Sequence, residues 1–181
     1  YRWQSYAPYI QGWAKIELEN YAKAWTQKGV NACVYNCPEI LTNSSSIFQG
    51  LEIPLYNLVR SLQKEIPNHP LTKKLKSECE NVLKEPSDLE KIFQMVDEHV
   101  IYSEKIGTSK YENWPQHSIQ EQLERSLSLS DAIIALHKDE KNTMSGLLSE
   151  VIFKSCGYVM LHDGFKPQNP VSWIGHDIVT K

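Results

Sequence analysis

The chain has 181 residues, of which 41% are apolar and 23% are charged, so it is long enough to form one domain with a substantial core. Its net charge of −3 and its three arginines among 19 basic residues argue against nucleic-acid binding, because base and phosphate contacts are made mostly by arginine. No apolar run approaches the ~18 residues needed to cross a bilayer, so we expect no membrane span.

The four cysteines favour a reducing, cytoplasmic setting. Cys79 and Cys156 fall on predicted apolar stripes, where a thiol packs like a small apolar side chain. Cys33 and Cys37 are separated by three residues rather than by the two that are typical of redox and zinc pairs. Because the chain opens on Tyr1 rather than Met, we interpret residues 1–181 as a single helical domain excised from a longer chain.

Helical spacing of apolar residues recurs along the first part of the chain. It predicts helices over residues 8–29, 54–66, 71–84 and 87–107, with prolines and glycines at the breaks between them. The last of these helices opens on a Ser-x-x-Glu capping box. Residues 30–50 and 107–117 are less regular, and residues 30–35 have the composition of an extended segment.

Residues 118–164 predict two helices that fold back on each other. The second, over residues 144–163, carries apolar residues on more than one face, so we expect it to be buried with the other segments around it. A short helix is predicted over residues 171–179. The sequence therefore predicts an all-α, single-domain bundle of six to seven helices with a buried C-terminal central helix.

Aromatic residues collect at the N-terminus and in the irregular segments. Exposed aromatic side chains often mark binding surfaces, because one ring buries a large apolar area. Anchoring of the N-terminus to the bundle is the alternative interpretation of the first aromatic residues. We take five residues as candidates for binding a protein partner, namely Trp3, Tyr6, Tyr35, Tyr111 and Trp114.

Two histidine–aspartate doublets near the C-terminus form a candidate metal site, made of His162, Asp163, His176 and Asp177. Imidazole and carboxylate groups both bind divalent metals. The doublets resemble the histidine–aspartate pair of certain metal-dependent hydrolases, although the spacing between them departs from that pattern. The resemblance implies a helical hydrolase as one alternative function. Surface histidines and helix caps are the other interpretation.

The segment Trp13-Ala14-Lys15-Ile16-Glu17 has the form Trp-x3-Glu. It resembles the signature of bacterial effectors that act as exchange factors for small GTPases, an all-helical family in which the Trp and Glu brace two helices. The resemblance implies an effector-like domain as a second alternative function. The catalytic loop of that family is missing, since Asn43-Ser44-Ser45-Ser46 matches it poorly.

Catalytic signatures are absent elsewhere in the sequence. The serines lack a Gly-x-Ser-x-Gly elbow, and the eight glycines form no phosphate-binding loop. We therefore hypothesise a cytoplasmic helical protein–protein interaction module, adaptor or regulatory, that is not an enzyme and uses no cofactor. Its expected partner is another protein.

Overall fold

The computed structural model describes residues 10–37, 50–106, 120–143, 145–164, 166–174 and 176–180. Within these ranges the helices are α1 (Ile10–Gln27), α2 (Glu52–Glu65), α3 (Pro70–Val82), α4 (Asp88–Ile106), α5 (Gln120–Ile134), α6 (Gly146–His162) and α7 (His176–Val179), and the strands are β1 (Val34–Asn36) and β2 (Val171–Trp173). The predicted all-α, single-domain fold is confirmed. In the described ranges, none of the helices combines the length and the apolar character that crossing a bilayer requires.

Helix α2 lies at the centre of the described bundle, where it packs against α3, α4 and α5. Its buried stripe repeats at helical spacing and consists of Leu55, Tyr56, Val59 and Leu62. Helix α4 contributes a second stripe without exposed surface, consisting of Leu89, Ile92, Phe93 and Val96. Polar groups on the inner side of α2 are therefore held in the middle of the fold.

Helix α6 forms where a helix was predicted, but it is buried on one side only. The buried side packs towards α3 and α7 and carries Leu148, Ile152, Ser155, Cys156 and Val159. The other side exposes Phe153, Met160 and Leu161. The prediction of a buried central helix with the other segments wrapped about it holds for one side of α6 only, because α2 occupies the central place and no element of the described ranges covers the other side.

A two-stranded parallel sheet joins distant parts of the chain. Strand β1 pairs with β2, with Val34 opposite Val171 and Asn36 opposite Trp173. The Ile174 N–H continues the ladder by donating to the Asn36 carbonyl at 3.0 Å. The extended conformation predicted within residues 30–35 is confirmed at its end. The helix predicted over 171–179 is wrong for its first residues, because β-branched and aromatic side chains there gain strand pairing instead.

Candidate functional site

A buried carboxylate marks the N-terminal end of α2. Glu52 lies in the first helical turn and is almost completely withdrawn from solvent. Its Oε2 accepts a hydrogen bond from Ser130 Oγ (2.9 Å), and its Oε1 accepts one from Thr143 Oγ1 (3.1 Å). The Gly50 N–H donates to Ser130 Oγ at 3.0 Å. These donors, together with the positive end of the helix dipole, stabilise the buried carboxylate.

One turn further along α2, Tyr56 pairs with His137. The Tyr56 hydroxyl donates to His137 Nε2 at 2.7 Å, and His137 Nδ1 donates to the Ile133 carbonyl at 2.9 Å. Because a carbonyl only accepts, Nδ1 carries a proton, and a neutral imidazole then accepts from the Tyr56 hydroxyl through Nε2. Burial lowers the pKa of His137, against the opposing effect of nearby carbonyls, and burial raises the pKa of Tyr56 above its usual range. Both rings therefore stay uncharged at neutral pH.

We call Glu52, Tyr56, Ser130, His137 and Thr143 the Glu52 network. The network connects α2 to the end of α5 and to the segment that precedes α6. Tyr56 and His137 have no exposed surface, so neither of them touches a substrate in this conformation. A buried polar network whose groups are hydrogen-bonded to one another fixes the relative positions of the helices that it connects. The Glu52 network is therefore a positioning device for the helices.

The buried thiols are not candidate nucleophiles. Burial raises the pKa of Cys79 to about 12. Burial and the adjacent Cys37 raise the pKa of Cys156 to about 12 as well. Because the thiolate is the reactive form of cysteine, both groups are inert at neutral pH.

Tyr35, a candidate binding residue, is brought together with Asp163, a candidate metal ligand. The half-buried Tyr35 on β1 donates through its hydroxyl to the Asp163 carbonyl at 3.0 Å. Burial raises the pKa of Tyr35, and the neighbouring Cys33 and Asp163 raise it further. The contact fastens the sheet to the end of α6. A binding role for Tyr35 stays a prediction.

The predicted metal ligands do not assemble in the described part of the structure. His162 ends α6 on the surface, with its ring 4.3 Å from that of Tyr158 between centroids. Asp163 is an exposed C-cap. His176 and Asp177 belong to α7, and their side chains are outside the described residues. Among the residues that are described, no three His, Cys, Asp or Glu side chains are placed to share a metal ion.

The other sequence candidates fall largely outside the described residues. Four of the five aromatic candidates do so, namely Trp3, Tyr6, Tyr111 and Trp114. Trp13 belongs to α1, but its side chain is not described either. Glu17 accepts a hydrogen bond from Asn20 Nδ2 at 3.3 Å, which is a contact within α1 rather than between helices.

Sequence reasoning missed the Glu52 network. A signal existed for Glu52, because a charged residue stands between Leu51 and Ile53 at the start of an apolar stripe. No comparable signal marked Ser130 or Thr143, since both residue types are also common on helix surfaces and at caps.

The exposed side of α6 forms an apolar surface that we call the α6 outer face. It consists of Phe153, Gly157, Met160 and Leu161. Lys154 and Glu150 lie on the same side of the helix, where Lys154 Nζ and Glu150 Oε1 form an ion pair of 2.6 Å. An exposed apolar surface suits contact with another apolar surface.

Comparison with known proteins identifies an enzyme family. The model of the family "Enoyl-acyl carrier protein reductase FabMG" matches residues 1–181. The apo structure of FabMG, a novel type of enoyl-acyl carrier protein reductase, is 34% identical with a TM-score of 0.73, covering 93% of this chain and 38% of that chain. The NADH-bound structure of FabMG is 34% identical with a TM-score of 0.62, covering 99% and 43%. No curated protein matches the chain.

These matches overturn the functional hypotheses drawn from the sequence. The non-enzymatic adaptor or regulatory module is wrong, because the relatives are reductases. The metal-dependent hydrolase and the effector acting on small GTPases are wrong for the same reason. The chain spans less than half the length of either FabMG structure. Since the family match extends over all 181 residues, the chain belongs to the FabMG family of enoyl-acyl carrier protein reductases.

Proposed function

We propose that this chain takes part in reducing an enoyl group carried on acyl carrier protein. The proposal rests on the 34% identity to FabMG over 93% of this chain, at a TM-score of 0.73. In such a reduction, a hydride and a proton add across the carbon–carbon double bond of the thioester and leave a saturated acyl thioester. The NADH-bound structure of FabMG supports NADH as the hydride donor.

The starts of α2 and α6 do not fit the diphosphate of NADH. Helix N-termini bind phosphate through free N–H groups and a positive dipole end. At α2, Gly50 has the positive φ (94°) common in phosphate loops, but the Glu52 carboxylate already occupies the first turn. At α6, Ser145 Oγ donates to Glu78 Oε2 at 3.1 Å, which places a carboxylate there too. Both carboxylates would repel a diphosphate.

The N-termini of α3 and α4 are also unavailable to a phosphate, because side chains at each helix start already occupy them. His69 Nδ1 accepts from the Leu71 N–H at 3.2 Å, and Pro70 has no N–H to offer. At α4, Asp88 is a buried first-turn carboxylate whose Oδ2 accepts from the Glu85 N–H at 3.1 Å. None of these four helix starts fits NADH. We therefore propose that the diphosphate of the dinucleotide binds outside these four helix starts.

In this proposal, the described residues form a rigid helical body of the reductase. The Glu52 network supports that role, because it ties α2 to α5 through buried, uncharged or fully hydrogen-bonded groups. We also propose a cytoplasmic location, supported by a family named for a substrate on acyl carrier protein and by the NADH bound in a FabMG structure.

The test is an assay of the full-length protein that contains this chain. NADH absorbance is followed with an enoyl thioester on acyl carrier protein, with the saturated acyl thioester as the negative control and FabMG as the positive control. We expect NADH oxidation only with the enoyl thioester. With NADH deuterated at the transferred position, one deuterium should appear in the saturated product. No NADH oxidation by a folded protein, under conditions where FabMG is active, would overturn the proposal.

A further inference from the structure

The α6 outer face places three large apolar side chains in water. Phe153, Met160 and Leu161 are 68%, 66% and 73% exposed. Gly157 lies at steps of three and four residues from them, with open space where a side chain would stand. Single exposed apolar residues are ordinary on soluble proteins, whereas three on one helical face make the kind of continuous patch that marks an interface.

Packing of the bundle does not require this face to be apolar. The opposite side of α6 is already buried through Leu148, Ile152 and Val159. A helix with one buried stripe normally carries polar residues on its other side. Here the charged residues Glu150 and Lys154 lie on the same side, where they neutralise each other in an ion pair. Protein interfaces combine large apolar side chains with paired polar groups.

The lengths of the FabMG chains indicate what covers the face. This chain corresponds to 38% of one FabMG chain and 43% of the other, so more than half of each lies outside the match. We propose that the α6 outer face packs against that remaining part of a FabMG-type reductase chain, which presents apolar side chains to Phe153 and Leu161. The inference rests on the proposed function, because it takes the partner from FabMG.

A second copy of this chain is the competing occupant. Two parts of one polypeptide meet at a far higher effective concentration than two separate molecules do. An apolar face of modest size is therefore covered first by its own chain, provided that the linking geometry allows it. This argument favours the remainder of the reductase over a homodimer.

Photo-crosslinking in the full-length protein identifies the occupant. The variants Phe153→p-benzoylphenylalanine and Leu161→p-benzoylphenylalanine each place a photoreactive ring on the α6 outer face. Lys73→p-benzoylphenylalanine, at an exposed position of α3, is the matched control. We expect positions 153 and 161 to link to peptides of the same chain that lie outside residues 1–181, and position 73 to give no such link. A mixture of isotopically heavy and light protein separates links within one chain from links between copies.

Three results would overturn the inference: links between heavy and light copies, links only to peptides within residues 1–181, or no links from either face position. Circular dichroism checks that each variant keeps its helices. The cross-links are read without any turnover, so they test docking independently of the proposed reaction. If the protein oxidises NADH but gives no cross-links, only the docking inference is wrong. If the cross-links form but the protein has no reductase activity, only the proposed function is wrong.

Discussion

The Tyr56 hydroxyl lies 2.7 Å from His137 Nε2, and neither side chain has any exposed surface. The two rings are tilted at 58°, with their centroids 5.8 Å apart, so the contact is made by the polar atoms rather than by stacking. If one group of this buried pair is removed, solvent does not reach the other to take its place as a hydrogen-bond partner. The free energy of unfolding should therefore be sensitive to each group of the pair.

Replacing Tyr56 by phenylalanine removes the donor and leaves His137 Nε2 buried without a partner. We expect Tyr56→Phe to lower the free energy of unfolding by about 1–3 kcal/mol. Tyr21→Phe, on the exposed side of α1, is the control and should leave it unchanged. Urea denaturation of the two variants beside the wild type measures the difference. Equal midpoints for Tyr56→Phe and the wild type would mean that the bond contributes nothing to stability.

The lowered pKa of His137 predicts a loss of stability in mild acid. The folded protein holds this imidazole neutral, whereas the unfolded chain protonates it near its ordinary pKa of 6.5. The stability contributed by neutral His137 is therefore complete above that pH. It is lost as the pH falls below 6.5, at up to about 1.4 kcal/mol per pH unit for one proton, until the folded-state pKa is passed.

The measurement is the free energy of unfolding between about pH 7 and pH 5, a window above the ordinary pKa values of carboxyl groups. His137→Gln keeps an acceptor for Tyr56 but does not titrate, so its stability should vary less with pH than that of the wild type. The same slope in His137→Gln and in the wild type would contradict the prediction.

Local patterns were sufficient to predict the helices, because prolines and glycines separate the apolar stripes. Helix α3 (Pro70–Val82) was predicted over 71–84, and α4 (Asp88–Ile106) over 87–107. The sheet could not be predicted, because β1 pairs with a strand far along the chain and no pattern within either segment encodes that partner. The burial of α6 was predicted correctly for one side only, for a related reason, since the apolar pattern of a helix does not identify the element that packs against each of its sides.

The function was out of reach of motif reasoning for a physical reason. The described residues hold buried polar groups, such as Ser130 and Thr143, whose residue types are equally common on helix surfaces and at caps. The likeness to FabMG is spread over all 181 residues rather than concentrated in a short segment. Catalytic spacings within short segments therefore did not indicate a reductase.

The substitution Glu52→Gln should weaken the packing of α2 against α5. The amide nitrogen of Glu52→Gln cannot accept from Ser130 or Thr143, so one of these hydroxyls loses its acceptor and both lose the charged partner that strengthens the bond. We expect the free energy of unfolding to fall by about 1–3 kcal/mol. Glu90→Gln is a matched control, because Glu90 is also a first-turn glutamate but is exposed.

A double-mutant cycle with Ser130→Ala tests whether Glu52 acts through this contact. If it does, Glu52→Gln should cost less in the Ser130→Ala background than in the wild type, because part of the interaction is already gone. Equal costs in the two backgrounds would show that Glu52 stabilises the fold by another route. A cost for Glu90→Gln as large as for Glu52→Gln would point to the helix dipole instead of the buried bonds.

The buried hydrogen bond between Asn36 and Glu19 predicts that changing Asn36 to aspartate destabilises the fold. Asn36 Nδ2 donates to Glu19 Oε1 at 3.0 Å in a buried contact between β1 and α1. Asn36→Asp places two carboxylates at this distance, and burial leaves their repulsion poorly screened. We expect the variant to lose about 1–3 kcal/mol of unfolding free energy at neutral pH. The loss should shrink as the pH falls and one proton is shared by the pair.

The control repeats the same chemistry on the surface. Asn20 Nδ2 donates to Glu17 Oε1 at 3.3 Å, but this contact is exposed, so water and salt screen the charges that Asn20→Asp would bring together. We expect Asn20→Asp to change the free energy of unfolding by no more than about 0.5 kcal/mol. Urea denaturation of both variants at neutral and acidic pH makes the comparison. If Asn36→Asp matches the wild type at neutral pH, or if its deficit grows as the pH falls, the contact between the sheet and α1 does not depend on this hydrogen bond.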